Sequence, residues 1–192
     1  MKKVTIFFIM MFLPVIAHPL HAALHDRGGG LIYDDVMDIT WMQNANYTGI
    51  TMIWDDAMNW ADNLVFHDYD DWRLPATDAS CSGNDCTGSE MGHLFYDENV
   101  TSDAGGWFTD VKPYMYWSGT DDGTDASRAW RFNFSSGSQG TSSKALTRYA
   151  WAVRDGDTAG PVAPEPVSSV LFLSGGATMA ARCFRQKQRQ VS

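Results

Sequence analysis

The chain has 192 residues and a formal net charge of −9, with 44% hydrophobic and 13% aromatic residues. This acidic balance argues against a nucleic-acid-binding protein, which needs a basic surface to neutralise phosphates. The 8 tryptophans supply enough apolar area for a folded core and so argue against a disordered chain. The length suits one domain of ordinary size, or a smaller domain with tails.

The N-terminus is predicted to be a secretory signal peptide over residues 1–22. Lys2 and Lys3 form a basic start, residues 5–17 form an apolar run, and Ala22 offers a small residue for cleavage. The alternative is an uncleaved membrane anchor, which is disfavoured because a span needs about 20 apolar residues. We therefore expect an exported protein.

Two short helices are predicted in the first half of the domain that follows, residues 23–159. Residues 31–41 alternate loosely and predict one or two strands with a turn near Asp34. Thr51 is expected to cap a first helix that runs to about Phe66. Apolar residues at helical spacing would form its buried face: Trp54, Ala57, Met58, Ala61, Leu64 and Val65. Ser89 and Glu90 are expected to open the second helix, which would bury Met91, Leu94 and Phe95.

A polar, glycine-bearing loop between these helices carries two cysteines, Cys81 and Cys86. In an exported chain this spacing predicts a local disulfide. A metal site is disfavoured because two thiols are too few ligands and no other Cys or His lies close in sequence. Cys183 lies beyond the apolar tail and is expected to stay reduced or to be removed with it.

The second half of the domain has the pattern of strands. Candidate strands are residues 114–119, 128–134 and 148–154, and turn-rich segments at 120–125 and 135–140 separate them. Early helices followed by late strands predict an α+β domain with a mainly antiparallel, twisted sheet.

The C-terminal region resembles a PEP-CTERM sorting tail. A proline-rich linker at 160–166 contains Pro164, Glu165 and Pro166, and residues 167–192 hold an apolar run followed by cations that include Arg182 and Arg185. The resemblance implies an exosortase-type processing enzyme as a partner. It also implies a precursor anchored in the inner membrane of a Gram-negative bacterium, and a product in the envelope or extracellular matrix. An ordinary C-terminal helix is the alternative.

Six short motifs give the domain its resemblance to a known family. In chain order they are Leu31-Ile-Tyr-Asp-Asp with Thr40-Trp41, Trp54-Asp-Asp-Ala with Trp60-Ala, Asp71-Trp-Arg-Leu-Pro75, Glu90-Met-Gly-His-Leu-Phe-Tyr96, Tyr116-Trp-Ser-Gly-Thr120 and Ala150-Trp-Ala-Val-Arg154. Over residues 28–156 the chain resembles the Lcl C-terminal domain-like family. The resemblance implies a C-type-lectin-like fold related to formylglycine-generating-enzyme domains, with first and last strands paired and the termini close together. The family's adhesin member is similar to a glycosaminoglycan-binding module.

Two surface features are candidate ligand sites. Trp107 follows two glycines in a loop, where an exposed ring could stack on a sugar; core packing is the alternative. Asp121, Asp122 and Asp125 share one loop, and carboxylates at this density are weak candidates for holding Ca²⁺. A solvated turn is the alternative for these three residues, because their spacing differs from the twelve-residue calcium loop.

Other residues in the domain favour packing over chemistry. Arg73 and Arg154 lie among apolar neighbours and are interpreted as ion-paired with aspartates, and most tryptophans are expected to pack in the core. His25, His67 and His93 fall in no catalytic motif, and Ser118 lacks the nucleophile-elbow pattern. No catalytic residue is therefore assigned, and the protein is interpreted as not an enzyme.

The net charge of the domain between the two targeting segments limits which functions are expected. Between residues 23 and 160 the chain has 22 acidic and 8 basic residues, a net charge of −14. We expect a non-catalytic, exported module that binds carbohydrate or an envelope protein and no nucleic acid, and that contacts the membrane only through its tail. Such an acidic domain should bind sulfated glycans poorly unless Ca²⁺ bridges. The alternatives are a polysaccharide hydrolase using surface Asp and Glu, and a self-associating structural protein.

Overall fold

The computed structural model describes residues 24–158, which form seven strands and two helices. In chain order these are β1 (Leu24–Gly28), β2 (Leu31–Asp34), β3 (Ile39–Met42), α1 (Trp54–Asp62), α2 (Glu90–Tyr96), β4 (Met115–Asp121), β5 (Arg128–Asn133), β6 (Ser138–Ser143) and β7 (Val153–Asp155). The α+β class and the two short helices are confirmed. The signal peptide, the linker and the sorting tail predicted from the sequence lie outside the described residues.

The strands form two antiparallel sheets, ordered β1-β2-β3-β7 and β4-β5-β6. The last strand joins the first sheet by pairing with β3, where Ile39 lies opposite Asp155. Among the strands of residues 24–158, the first and the last do not pair as the resemblance implied, because the β1-β2-β3 meander places β1 at the far edge. The two ends of the described chain nevertheless meet, since Arg27 donates to both carboxylate oxygens of Asp157 at 2.8 and 2.7 Å.

Helix α1 begins later than predicted, and Thr51 does not cap it. Met52 exchanges both backbone hydrogen bonds with Arg148 at 2.9 Å, so this part of the chain is held extended. The helix follows directly, with Ile53 at its N-cap and no side-chain capping hydrogen bond.

Helix α1 also ends earlier than predicted, at Asp62 rather than near Phe66. The side-chain amide of Asn63 donates to the Asn59 carbonyl at 2.8 Å and helps to close the last turn. Val65, which was predicted on the buried face, lies beyond the helix and is 69% exposed. The buried face therefore consists of Trp54, Ala57 and Ala61.

Strand β6 occupies a region that was predicted in part as a turn. Its sequence is Ser-Gln-Gly-Thr-Ser-Ser, which has no apolar alternation. It forms because β5 offers a full row of backbone partners, from Arg128 opposite Ser143 to Asn133 opposite Ser138. The turn between the strands is closed by the Asn133 side chain, which accepts from the Ser135 N–H and hydroxyl at 2.9 and 2.8 Å.

The predicted strand at 148–154 is mostly a connection between the two sheets. Arg148 pairs with Met52, Tyr149 N–H donates to the Met115 carbonyl at 3.1 Å, and Ala152 carbonyl accepts from Met42 N–H at 3.0 Å. Only its end belongs to a regular strand, β7. Because its backbone partners change along its length, the segment has the sequence of a strand but does not form a continuous ladder of hydrogen bonds with one neighbour.

Aromatic side chains build most of the core. Trp41 and Trp151 meet edge to face with ring centroids 5.1 Å apart, and Phe108 packs on Trp151 at 5.0 Å. The core interpretation of the tryptophans is confirmed for six that are buried: Trp41, Trp54, Trp72, Trp117, Trp130 and Trp151. Trp60 is half-buried against the same core.

The predicted disulfide between Cys81 and Cys86 is present. It closes a loop that is also fixed to the edge of the second sheet, because Gly83 and Gln139 exchange backbone hydrogen bonds at 2.9 and 2.7 Å. Helix α2 begins directly after this loop, with Ser89 at its N-cap as predicted. The loop, strand β6 and helix α2 therefore form one connected unit.

Candidate functional site

Ion pairing distinguishes two arginines from the other cations of the domain. Between residues 24 and 158 there are 8 Lys and Arg side chains, and six of them contact a carboxylate: Arg27, Arg73, Lys112, Arg128, Lys144 and Arg154. Arg131 and Arg148 form no ion pair within this range. In a region with 22 acidic residues, two cations without an acidic neighbour are a notable exception.

Arg131 and Arg148 are both neighbours of Trp117. Arg131 stands opposite Trp117 across β4 and β5, and the Arg148 guanidinium carbon is 5.9 Å from the Trp117 ring centroid. Arg131 Nη1 donates to the Ser138 carbonyl at 3.0 Å, and Arg148 Nη1 donates to the Thr147 carbonyl at 2.9 Å. The Nε of each arginine is buried and has no acceptor in the described part of the chain. Burial, followed by the charge of Arg148, lowers the pKa of Arg131.

A cleft of about 330 Å³ opens beside this pair of arginines. Its lining residues come from the chain before α1, the entry to β4, the exit of β5 and the segment that joins the sheets: Thr51, Pro113, Tyr114, Met115, Asn133, Ser135, Thr147, Arg148 and Tyr149. The Tyr114 and Tyr149 rings have centroids 6.4 Å apart, and Tyr114 is 65% exposed. The cleft therefore offers aromatic faces, hydroxyl and amide groups and one guanidinium.

Trp107 is exposed, as its loop position predicts, but it does not line the cleft. Half of its surface is accessible, at 50%, and its carbonyl accepts from the Gln43 side-chain amide at 2.9 Å. A role in sugar stacking stays a prediction for this residue.

The three aspartates predicted as weak calcium ligands each have a separate local partner. Asp121 pairs with Lys144. Asp122 accepts from the Thr124 N–H and hydroxyl at 3.1 and 2.7 Å, and these bonds lower its pKa. Asp125 accepts from the Ser127 N–H and hydroxyl in the same way, at 2.9 and 2.6 Å.

The contacts of Asp122 and Asp125 are those of aspartates that shape their own turns, whereas Asp121 forms an ion pair with a residue on the neighbouring segment. Across residues 24–158, no group of three or more His, Cys, Asp or Glu side chains is gathered in a way that could hold a metal ion. Calcium binding at these positions stays a prediction.

Arg73 and Arg154 are ion-paired, which confirms their interpretation from the sequence. Arg154 donates to both oxygens of Asp71 at 2.7 Å. Arg73 contacts Asp155, but it also donates to both oxygens of Glu90 at 2.9 and 2.7 Å, a partner that the sequence did not indicate. Both arginines therefore hold elements together and are not available to a ligand.

His93 is a buried imidazole among carboxylates. Its Nε2 lies 3.4 Å from Asp34 and 3.7 Å from Glu98, and its Nδ1 lies 3.0 Å from Asp97. Only 5% of the residue is exposed. The Asp34 carboxylate, helped by Asp97 and opposed by burial, raises the pKa of His93 to about 9. The charged imidazole thus connects helix α2 to the turn after β2.

This arrangement predicts that the protein loses stability in mild alkali. The stabilisation from charged His93 is fully present below pH 6.5, its ordinary pKa, and is lost as the pH rises through about 9. We expect a loss on the order of 2 kcal/mol in the free energy of unfolding between pH 6 and pH 10. Urea unfolding at both pH values measures it, and the His93→Gln variant should show a much smaller difference. An equal loss in the variant would contradict the assignment.

Comparison with known proteins places the domain in a family. The model of the Lcl C-terminal domain matches residues 30–154, which is more than half of the chain. The chain belongs to the Lcl C-terminal domain family. The matched residues include the cleft and every described strand and helix except β1 and the last residue of β7. No curated protein matches the chain, and no solved structure matches it.

Membership in the Lcl C-terminal domain family indicates an extracellular or envelope-associated module. Neither helix between residues 24 and 158 has the length and apolar character needed to cross a membrane. The cleft of this Lcl C-terminal domain was not predicted, because its lining residues come from four separate parts of the sequence. Tyr114, Tyr149 and Arg148 were interpreted as parts of strands, and nothing in their local sequence shows that they meet.

Proposed function

We propose that this protein is an exported, non-catalytic binding module whose ligand is a carbohydrate held in the Tyr114–Tyr149 cleft. The observation that carries the proposal is a tyrosine pair, with Tyr114 exposed and Tyr149 half-buried, at the wall of a cleft whose other lining residues are mainly polar. Binding sites for small ligands combine apolar faces with a few polar groups that fix orientation, and this cleft has that composition.

The chemistry of a sugar fits the two kinds of surface in the cleft. The C–H face of a pyranose ring is apolar and packs on an aromatic ring, while its hydroxyl groups need hydrogen-bonding partners. Tyr114 and Tyr149 supply the aromatic rings, and Asn133, Ser135 and Thr147 supply the hydrogen-bonding partners. The volume of about 330 Å³ suits one or two sugar units at the end or along the side of a chain.

The proposal includes a C-type-lectin-like arrangement and a route to the cell envelope. Two helices, antiparallel sheets and adjoining chain ends are consistent with that fold. The signal peptide, the Pro164-Glu165-Pro166 motif and the basic tail support export of a membrane-anchored precursor and release by an exosortase-type enzyme. The net charge of −14 over residues 23–160 supports a partner other than nucleic acid.

A glycan array, run with and without Ca²⁺, tests the proposal. We expect binding to a restricted set of saccharides, and an affinity loss of about tenfold in Tyr114→Ala, because truncating an aromatic contact removes more than 1 kcal/mol. Tyr47→Ala is the matched control, since Tyr47 is also exposed, at 48%, and packs on Phe66 away from the cleft.

The outcomes of the array separate the cleft from the alternatives. If Trp107→Ala loses affinity for the saccharide and Tyr114→Ala does not, the sugar binds on the Trp107 loop. Binding that depends on Ca²⁺ and on Asp121 or Asp122 would place it on the acidic loop. Absence of binding to every saccharide would overturn the carbohydrate proposal and leave an envelope protein as the ligand to test.

A further inference from the structure

The two unpaired arginines next to the cleft lack the counter-charge that every other cation of the described domain has. Arg148 lines the cleft, and Arg131 lies two residues before the cleft residue Asn133 on the same face of β5. Arg131 and Arg148 are close enough for their like charges to repel, and partial burial removes water that would screen them. Within the described residues, no carboxylate neutralises the charges of Arg131 and Arg148.

The neighbouring groups cannot supply that anion. Arg131 Nη1 donates to the carbonyl and hydroxyl of Ser138, at 3.0 and 3.5 Å, and Arg148 donates to the Thr147 carbonyl. These acceptors are neutral, and each guanidinium has five N–H donors. In the part of the chain that the structure describes, most of the donors therefore remain without an acceptor.

We propose that Arg148 and Arg131 bind the carboxylate of an acidic sugar whose ring lies in the cleft, so that the ligand is a uronate-bearing saccharide. This inference rests on the proposed carbohydrate function and names the class of sugar. A carboxylate matches the planar fork of a guanidinium and forms a charge-assisted pair with it. The tyrosines would hold the ring and Arg148 its acidic substituent.

The charge of the surrounding domain favours a ligand with few charges. The 22 carboxylates between residues 23 and 160 create a negative field that repels a densely charged chain. The positive site is local and consists of two residues, so it can neutralise one anionic group at a time. A uronate chain with one carboxylate per sugar and no sulfate should thus bind better than a highly sulfated chain such as heparin.

Calorimetric titration of the purified full chain with oligogalacturonate, and with the same oligomer after methyl esterification, tests the inference. The ester keeps the ring and removes the charge. We expect the acid form to bind about tenfold more tightly at low salt, and this preference to shrink with added salt. In Arg148→Gln the preference for the acid form over the ester should disappear.

Two further variants control for charge and folding. Arg27→Gln removes the same charge from an ion-paired site at the chain ends and should keep the preference. Arg131→Gln could disturb β5, so Arg131→Lys is used because it retains the positive charge. This variant should keep most of the preference for the acid form over the ester. Circular dichroism confirms that each variant is folded.

The results distinguish failure of this inference from failure of the carbohydrate proposal. Equal binding of acid and ester, lost in Tyr114→Ala, would overturn the uronate inference and leave the carbohydrate function standing. Tight heparin binding that survives Arg148→Gln would also overturn it. Absence of binding to both oligomers, together with a blank glycan array, would remove the carbohydrate function and this inference with it.

Discussion

Replacing Gly92 with alanine is expected to be among the most damaging single changes in this domain. A Cβ added at Gly92 would lie 1.9 Å from the Cys86 carbonyl oxygen and 2.9 Å from its carbonyl carbon. Both atoms belong to the backbone, and the Cys81–Cys86 disulfide and the Ser89 N–H bond to Cys86 hold that backbone in place. Relief of the contact therefore requires α2 to move away from the loop.

We expect Gly92→Ala to reduce the free energy of unfolding by about 3 kcal/mol, the upper part of the range for forced overpacking. Urea unfolding followed by tryptophan fluorescence measures it. Gly123→Ala is the matched control, because a Cβ at Gly123 meets no atom within 4 Å. The control should change stability by less than about 0.5 kcal/mol. Equal stability of the two variants would show that α2 does not pack on the cysteine loop as described.

The second large effect is expected from Glu90→Gln. Glu90 is 7% exposed and accepts from both terminal nitrogens of Arg73 and from the Ala76 N–H at 2.7 Å. Burial by itself would lower the pKa of Arg73, but the hydrogen bonds and charges of Glu90 and, to a smaller extent, Asp155 outweigh it and raise that pKa. The pair thus holds α2 against the segment that precedes it and against β7.

Neutralising Glu90 leaves the Arg73 charge partly buried with only Asp155 as an acidic partner. Because Arg73 keeps about a third of its side chain in water, 34%, we expect about 2 kcal/mol of destabilisation rather than the full cost of a deeply buried broken pair. Asp155→Asn is the control, since Asp155 is 78% exposed and should matter far less. Thermal unfolding compares the two, and a larger effect in Asp155→Asn would contradict the described roles.

The sequence carried much of the information about local elements. The helix at 90–96 was predicted from Ser89 and the apolar residues after it, and the disulfide from two cysteines in an exported loop. Both depend on residues within one turn or loop of each other. The predicted start of α1 was wrong because it depends on a distant residue. The backbone of Arg148, far along the chain, pairs with Met52 and holds the residues before the helix extended.

Long-range pairing also explains why the candidate site was missed. Strand β6 is polar, so its pattern resembles a turn, and only the facing backbone of β5 makes it a strand. A sequence shows how many cations and carboxylates a domain has but not which of them meet. The distinction between Arg148, which has no acidic partner in the described region, and Arg154, which pairs with Asp71, therefore appears only in three dimensions.

The segment that joins the two sheets has a consequence for the cleft built on it. Arg148 and Tyr149 both belong to this segment, and their backbone groups pair with Met52 and Met115 in different parts of the fold. The site cannot rearrange without breaking these hydrogen bonds. We therefore expect the backbone of the cleft to change little if a ligand binds, so that little affinity would be lost to the conformational entropy of ordering a loop.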